Sequence, residues 1–386
     1  MPNALQLAGL TFVWCSLAVL FYVYLGYPAL LGLVGLMIRR PRAVVGYTPK
    51  ISVLIAAYNE EANIQRKVEQ TLALEYPPDR VEILVLSDGS SDRTDEIVKA
   101  ISDPRVRLLR APQRKGKTNV QNLGAETCQG EVLIFSDATT VYHPLALRYL
   151  ACNYADPKVG AVSGRYEYFD PQGKSPTGTG MIAFWNYENL IKMMQSRIYT
   201  ITGCCGCIYS VRRRAYTALH PDVISDLVQP LCAIQQGYRV VFEDRALAYE
   251  ETTQSSKEEF SMRVRVVTRG IHGILSVRDL LNPLKHGWVS FQLLSHKVLR
   301  WIIPFFLLLL FIGNAILWNH PWYGLLFAIQ FTFYAFALLT LLVPLHRIWR
   351  PLGIPLYFCT LNAAALRSVL EAVRGRKYAI WETVRS

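Results

Sequence analysis

From Ile51 onward, short and nearly all-apolar runs alternate with segments whose apolar residues recur at helical spacing. ISVLIAA (51–57), VEILVLS (81–87), RVRLLR (105–110) and EVLIFS (131–136) predict strands. Glu60–Leu74, Asp92–Ile101 and Lys117–Thr127 predict the helices between them. Strands apolar on both faces, alternating with helices, predict an α/β domain whose mostly parallel sheet is covered on both sides. Past Pro144 the pattern loosens. It predicts a helix to Asp156, a strand at VGAVSGRYEYF (159–169), a helix over 181–196 and a strand at GCIYSV (206–211). A helix from Ser225 to Gln236 stops at Gly237, and YRVVF and ALAYEE follow as two short strands.

The two ends of the chain follow a different pattern. Residues 1–38 and 301–345 contain no Lys, Arg, Asp or Glu, so nearly all the charge lies between them. A spanning helix needs about 20 apolar residues. Leu5–Ile38 exceeds that, interrupted only by Gly26, Tyr27 and Pro28, and lacks the basic start and short core of a signal peptide. It predicts a kinked anchor over residues 5–38. Trp301–Trp318 and Tyr323–Leu345 predict two more spans, joined by the turn NHPWYG. Leu352–Leu366 is apolar but short, and the basic RGRK at 374–377 follows it, which favours a re-entrant or interfacial helix within 352–386.

Arg39, Arg40 and Arg42 follow the first span, Lys297 and Arg300 precede the second, and His346, Arg347 and Arg350 follow the third. By the positive-inside rule these clusters are cytoplasmic. An integral protein of the plasma membrane, with its middle domain (45–256) in the cytosol and its N-terminus outside, is the expectation. Residues 257–300, amphipathic and basic, read as interfacial helices. The net charge of +12 suits lipid headgroups and phosphates, and no segment resembles a nucleic-acid-binding module. The eight cysteines fit a reducing compartment. Cys204, Cys205 and Cys207 have no second Cys/His pair at zinc spacing and read as small apolar residues.

Parallel α/β sheets bind ligands beyond the carboxyl ends of their strands. Three such ends carry polar clusters: AYNEE after the first, DGSSD after the second and DATT after the fourth. Asp92 and Asp95 have ordinary roles as a cap and a first-turn acid. Asp88 beside AYNEE suggests a nucleotide. RKGK at 114–117 is not a P-loop, because Ala111 stands where the pattern needs glycine, though a Gly-Lys pair can still meet a diphosphate. Asp226 opens a helix, with Ser225 expected as its cap. Arg263, Arg265 and Arg269 share one helix, either as a solvated basic face or as candidates for a pyrophosphate or the acceptor.

ISVLIAAYNEE, LVLSDGSSDRT, RKGKTNVQN, FSDATT, ISD and GYRVVFEDRALAYEE occur in that order, followed by SHKVLRW. Together they resemble a membrane-bound family 2 glycosyltransferase, from about Gly26 to the terminal WETVR. The resemblance implies a GT-A fold, a nucleotide-diphosphate sugar (usually UDP) as donor and inversion at the anomeric carbon. It assigns Tyr58, Glu60 and Asp88 to the nucleotide and Lys117 to the base and phosphates. Asp137 is the first acid of the family's D-x-D metal motif, and Asp226 is the general base. The implied cofactor is a divalent cation, Mg²⁺ or Mn²⁺.

Two departures qualify the resemblance. The second D-x-D acid is Thr139, so the cation should be weakly held without nucleotide. In the Q-x-x-R-W signature of processive members, Met262, Arg265 and Val266 stand at the aligned positions and only the arginine is kept. The expected activity is therefore transfer from a UDP-sugar to a lipid-linked or membrane-presented glycan, with a processive synthase of the cellulose or hyaluronan type as the alternative. A nucleotidyltransferase would want a Gly-rich loop where AAYNEEAN stands. A catalytically dead scaffold sits poorly with two retained aspartates.

Overall fold

The computed structural model describes residues 3–38, 43–170, 175–253 and 255–378. Arg39, Arg40, Arg42 and the WETVR motif lie outside the described residues. The strands are β1 (Ile51–Ala57), β2 (Val81–Ser87), β3 (Val106–Arg110), β4 (Val132–Asp137), β5 (Val141–Tyr142), β6 (Val159–Phe169), β7 (Ile208–Arg212) and β8 (Arg239–Glu251). The helices are α1 (Ala4–Phe21), α2 (Tyr27–Met37), α3 (Ile64–Leu72), α4 (Thr94–Lys99), α5 (Lys117–Thr127), α6 (Ala146–Cys152) and α7 (Gly178–Ile198). They continue with α8 (Ser225–Gln235), α9 (Ser256–Ser276), α10 (Pro283–His286), α11 (Trp288–Leu293), α12 (Leu299–Ile316), α13 (Pro321–Leu342) and α14 (Ile354–Val373).

The strands form one sheet in the order β3-β2-β1-β4-β7-β6-β8-β5. Its first four strands are parallel, as the apolar runs predict. Successive β1 residues face opposite ways: Val53 and Ile55 enter one core cluster, Leu54 and Ala56 the other. Both faces are therefore dry, which is why the strand shows no polar alternation. The chain leaves β1 for β2 on one side and returns to β4 on the other, and this reversal opens a crevice at the strands' carboxyl ends.

The second half of the domain departs from the sequence reading in one strand. YRVVF and ALAYEE are a single strand, β8, running parallel to β6. The register jumps between Gly164–Glu243 and Arg165–Leu247, so the polar Glu243-Asp244-Arg245 step is a bulge rather than a break. Glu243 and Arg245 satisfy each other there at 2.7 Å.

Among the described residues, four helical stretches are long and apolar enough to cross a membrane: Ala4–Met37, Trp288–Ile316, Pro321–Leu342 and Arg350–Val373. The first contains the expected irregularity at Pro28, as a π-helical turn over Tyr22–Gly26. Proline has no N–H for the carbonyl of Tyr24, four residues back. The Tyr187 hydroxyl of α7 donates to that oxygen at 3.0 Å, so the freed carbonyl is satisfied by the sheet domain. The last helix is longer than the apolar run suggests. Arg367 and Glu371 interrupt the hydropathy but pair with each other one turn apart at 2.9 Å, and the helix continues to Val373.

Candidate active site

Strand register places the polar strand ends side by side. Asp137 lies beside Ala56, and Ser87 beside Ala57, so segments 58–61, 88–92 and 137–139 leave the sheet together. Asn59, at φ 53°, donates its N–H to Ser90 Oγ at 3.1 Å and accepts from the Ser91 N–H at 2.8 Å, tying the first two loops. Asp88 is fully buried, and its carboxylate accepts the N–H groups of Lys115 (2.9 Å) and Gly116 (2.8 Å). It therefore anchors the RKGK turn. Burial raises its pKa against the opposing pull of those two bonds.

That turn approaches closely because Gly89, at φ 72°, has no side chain. A Cβ there would lie 3.3 Å from the Arg114 nitrogen. The Arg114 guanidinium covers the Tyr58 ring, 3.6 Å from its centre. Glu60 is buried and accepts from Asn63 Nδ2 at 2.9 Å. Asp92 accepts from the Thr94 and Glu61 N–H groups, both at 3.0 Å, and Asp95 pairs with Arg110.

Lys117 begins α5. Its ammonium is ion-paired with Asp137 and donates to the carbonyl of Gly206 at 3.3 Å. Burial works against that charge, but Asp137 outweighs it and holds the lysine above its ordinary pKa. Asp226 lies in the first turn of α8. Ser225 is not the cap: the cap position is Ile224, and it makes no side-chain bond. Loss of bulk water pushes the Asp226 carboxyl up, while Lys117 and Lys192 pull it down. The segment GCCGC (203–207) runs between Lys117 and Asp226, and its three cysteines are buried. Cys205 accepts from the Lys192 ammonium at 3.0 Å.

Asp137, Gly206 and Asp226 line a cavity of about 480 Å³. Its far wall comes from α7, α9, α12 and α14, with Trp185, Arg263, Trp301 and Tyr357 among the lining residues. Gly270 makes room for Trp301, whose ring would lie 3.1 Å from a Cβ at that position. Glu188 of α7 joins this wall to the membrane helices through His296 (3.2 Å), Lys297 (3.7 Å) and Arg300. Phe358 and Asn362 line both this cavity and an apolar one of about 610 Å³ bounded by α12, α13 and α14.

The three arginines of α9 do not converge. Arg263 lines the cavity, bonded to Glu259 (2.7 Å) and the Tyr357 hydroxyl (3.0 Å). Arg269 is buried, donating to Thr118 Oγ1 and to the carbonyls of Pro221 and Val223, at 2.6 to 3.0 Å. It fastens the loop before Asp226 onto α5. Arg265 is not among the residues lining the cavity.

The sequence reading missed Glu188, Lys192 and Trp301, which are far apart in the chain, and also Lys67 and Glu250. Lys67 is buried and donates to the carbonyl of Thr140 at 2.6 Å, and burial lowers it to about 7. Glu250 is buried and accepts from the Thr139 hydroxyl at 3.2 Å. Burial, and then the charge of Asp137, push it up to about 8.

A family profile described as Glycosyl transferase family 2 matches residues 52–219, which include Tyr58, Glu60, Asp88, Lys117 and Asp137. Residues 52–219 form a glycosyltransferase family 2 domain. Among curated members, the probable glycosyltransferase YdaM of Bacillus subtilis is 27% identical over 260 residues. That match covers 64% of this chain and 61% of YdaM, so the chain spans about three fifths of that relative. The poly-β-1,6-N-acetyl-D-glucosamine synthase of Staphylococcus aureus is 26% identical over 286 residues, covering 71% and 67%. Among solved structures, the mannosyltransferase PcManGT of Pyrobaculum calidifontis, in complex with GDP-Man and Mn²⁺, superposes with a TM-score of 0.74. It covers 96% of this chain and 99% of its own at 19% identity, a likeness of GT-A fold.

The family 2 resemblance implies a divalent cation, and PcManGT was solved with Mn²⁺. Among the described residues no group of three His, Cys, Asp or Glu side chains is placed to hold one. The hard oxygens of Asp137 nonetheless suit a cation such as Mg²⁺, which keeps several waters and leans on substrate phosphates.

Proposed function

We propose that this family 2 member transfers a sugar from a UDP-sugar to a lipid-linked or membrane-presented glycan, with inversion. The observation that carries the proposal is the shared cavity of Asp137 and Asp226, which adjoins an apolar cavity among helices of bilayer length. An acceptor with a polar head and an apolar tail matches that pair of spaces in chemistry.

Asp226 is the general base in this reading. Its carboxylate takes the proton of the acceptor hydroxyl as that oxygen attacks the anomeric carbon from the face opposite the departing diphosphate. Lys117, with the backbone of the RKGK turn held by Asp88, receives the phosphates. Arg114 over Tyr58 supplies a flat surface beside the nucleotide loops. A divalent cation held by Asp137 would neutralise the leaving group's charge.

A second reading, polymer synthesis, is favoured by the likeness to a polysaccharide synthase and by Trp301. The tryptophan absent at position 266 of α9 has an aromatic substitute in the same cavity wall, from α12. Native membranes given radiolabelled UDP- and GDP-sugars test both readings. Label in an organic-extractable lipid supports the first and label in a polymer the second; a GDP-sugar donor would correct the nucleotide, and no transfer from any donor would refute both.

A further inference from the structure

We infer that Glu250 supplies the second carboxylate of the divalent-cation site, standing in from β8 for the acid absent at Thr139. The inference rests on the nucleotide-sugar reading above.

Thr139 is not a bare gap in the motif. Its hydroxyl donates to Glu250 Oε1 at 3.2 Å, across 111 residues of sequence. The strands enforce this meeting. β5 pairs antiparallel with β8, Val141 opposite Tyr249 and Tyr142 opposite Ala248, so the chain leaving Asp137 is pinned along the end of β8. On its other side β8 runs parallel to β6, which sets Tyr168 beside Glu250. Tyr168 lines the cavity that holds Asp137 and Asp226. The register thus sets Glu250 next to a residue of that wall.

Glu250 is buried, at 9% relative exposure, and a buried carboxylate is held by partners or by a metal. The charges acting on Glu250 are Asp137, Lys117 and Lys67. Asp137 and Glu250 thus act on one another, with two amines close by. Two carboxylates plus phosphate oxygens and water also form the hard-oxygen set that Mg²⁺ and Mn²⁺ take.

The test is Mn²⁺ affinity of the full-length protein in detergent, read by the loss of the free Mn²⁺ electron paramagnetic resonance signal, with UDP or GDP present. Glu250→Gln, which keeps the side chain's shape, should weaken Mn²⁺ by about tenfold or more. Thr139→Val, which keeps both carboxylates but removes the orienting bond, should weaken it by a smaller factor. It also serves as the reading should Glu250→Gln fail to fold. Nucleotide affinity without metal should be unchanged in both. A folded Glu250→Gln protein that binds Mn²⁺ within about twofold of wild type overturns the role of Glu250 alone. If wild type binds neither UDP nor GDP, with or without Mn²⁺, the donor-site reading fails and this inference fails with it.

Discussion

Gly206 and Asp226 are matched in space: a Cβ on Gly206 would lie 2.8 Å from Asp226 Oδ2. The carboxylate occupies the volume that the missing side chain leaves. The segment around Gly206 is also fixed, because its carbonyl accepts from Lys117 and the N–H of Cys204 donates to the backbone of Asp226 at 2.8 Å. Gly206→Ala should displace the carboxylate without unfolding the domain. A misplacement of about 1 Å costs on the order of 10²-fold in rate. Transfer assays with donor affinity measured in parallel should show kcat falling while nucleotide binding holds.

Tyr187 tests how the domain is seated on its first membrane helix. Tyr187→Phe removes the donor to the Tyr24 carbonyl that Pro28 leaves without a partner. The expected cost is about 1 kcal/mol, visible as a lower melting temperature in detergent. An unchanged melting temperature would mean that another donor reaches that carbonyl.

Much of this fold is legible in the sequence because burial on both faces leaves β1, β2 and β4 nearly all apolar, and α5 is predicted with its observed limits. Asp137 and Asp226 can be picked out because each sits at an element's end. The remainder depends on pairing. Glu250 reads as an edge-strand polar residue until β8 is set against β5, and the β8 bulge looks like a break because its charges satisfy each other. Arg269 reads as a surface cation, yet it is surrounded by carbonyls from a loop some 47 residues earlier in the chain. A one-dimensional pattern carries no signal for such partners.

Trp301 should matter for the acceptor and not for the donor. It faces the cavity beside Gly270, one helical turn beyond Val266. Losing an aromatic contact of about 1 kcal/mol should raise the acceptor KM roughly fivefold. Trp301→Ala should do this with nucleotide affinity intact, and should shorten the product if a polymer is made. A change in donor KM instead would place Trp301 outside the acceptor site.

The ends of α14 make a topological prediction. Its C-terminal side touches the domain through Lys377–Asp222 (3.1 Å) and His272–Arg376 (2.9 Å). Along its length, Ser368 donates to the Val264 carbonyl of α9, and Tyr357 meets Arg263. A helix bound to the domain along its length and just past its C-terminal end should lie along the membrane surface, despite being long enough to cross. A cysteine introduced after Lys377 should be protected from impermeant thiol reagents outside intact cells, as one in the middle domain should be. Labelling from outside would make α14 a span.

The central claim is that Asp226 is the base for transfer, and the transfer rate of Asp226→Asn against wild type across pH tests it most directly. Burial raises the pKa of Asp226, and only the ionised form can accept the acceptor's proton. Wild-type rate should therefore fall as pH drops through a value above the ordinary carboxylate range of about 4. A raised folded-state pKa also means that ionising Asp226 opposes folding as pH rises, so the Asn variant should be no less stable at pH 7. The account predicts a folded variant that binds nucleotide like wild type but transfers at less than about a hundredth of the rate at every pH. Transfer by that variant at more than about a tenth of the wild-type rate, with the acidic limb still present, would contradict it.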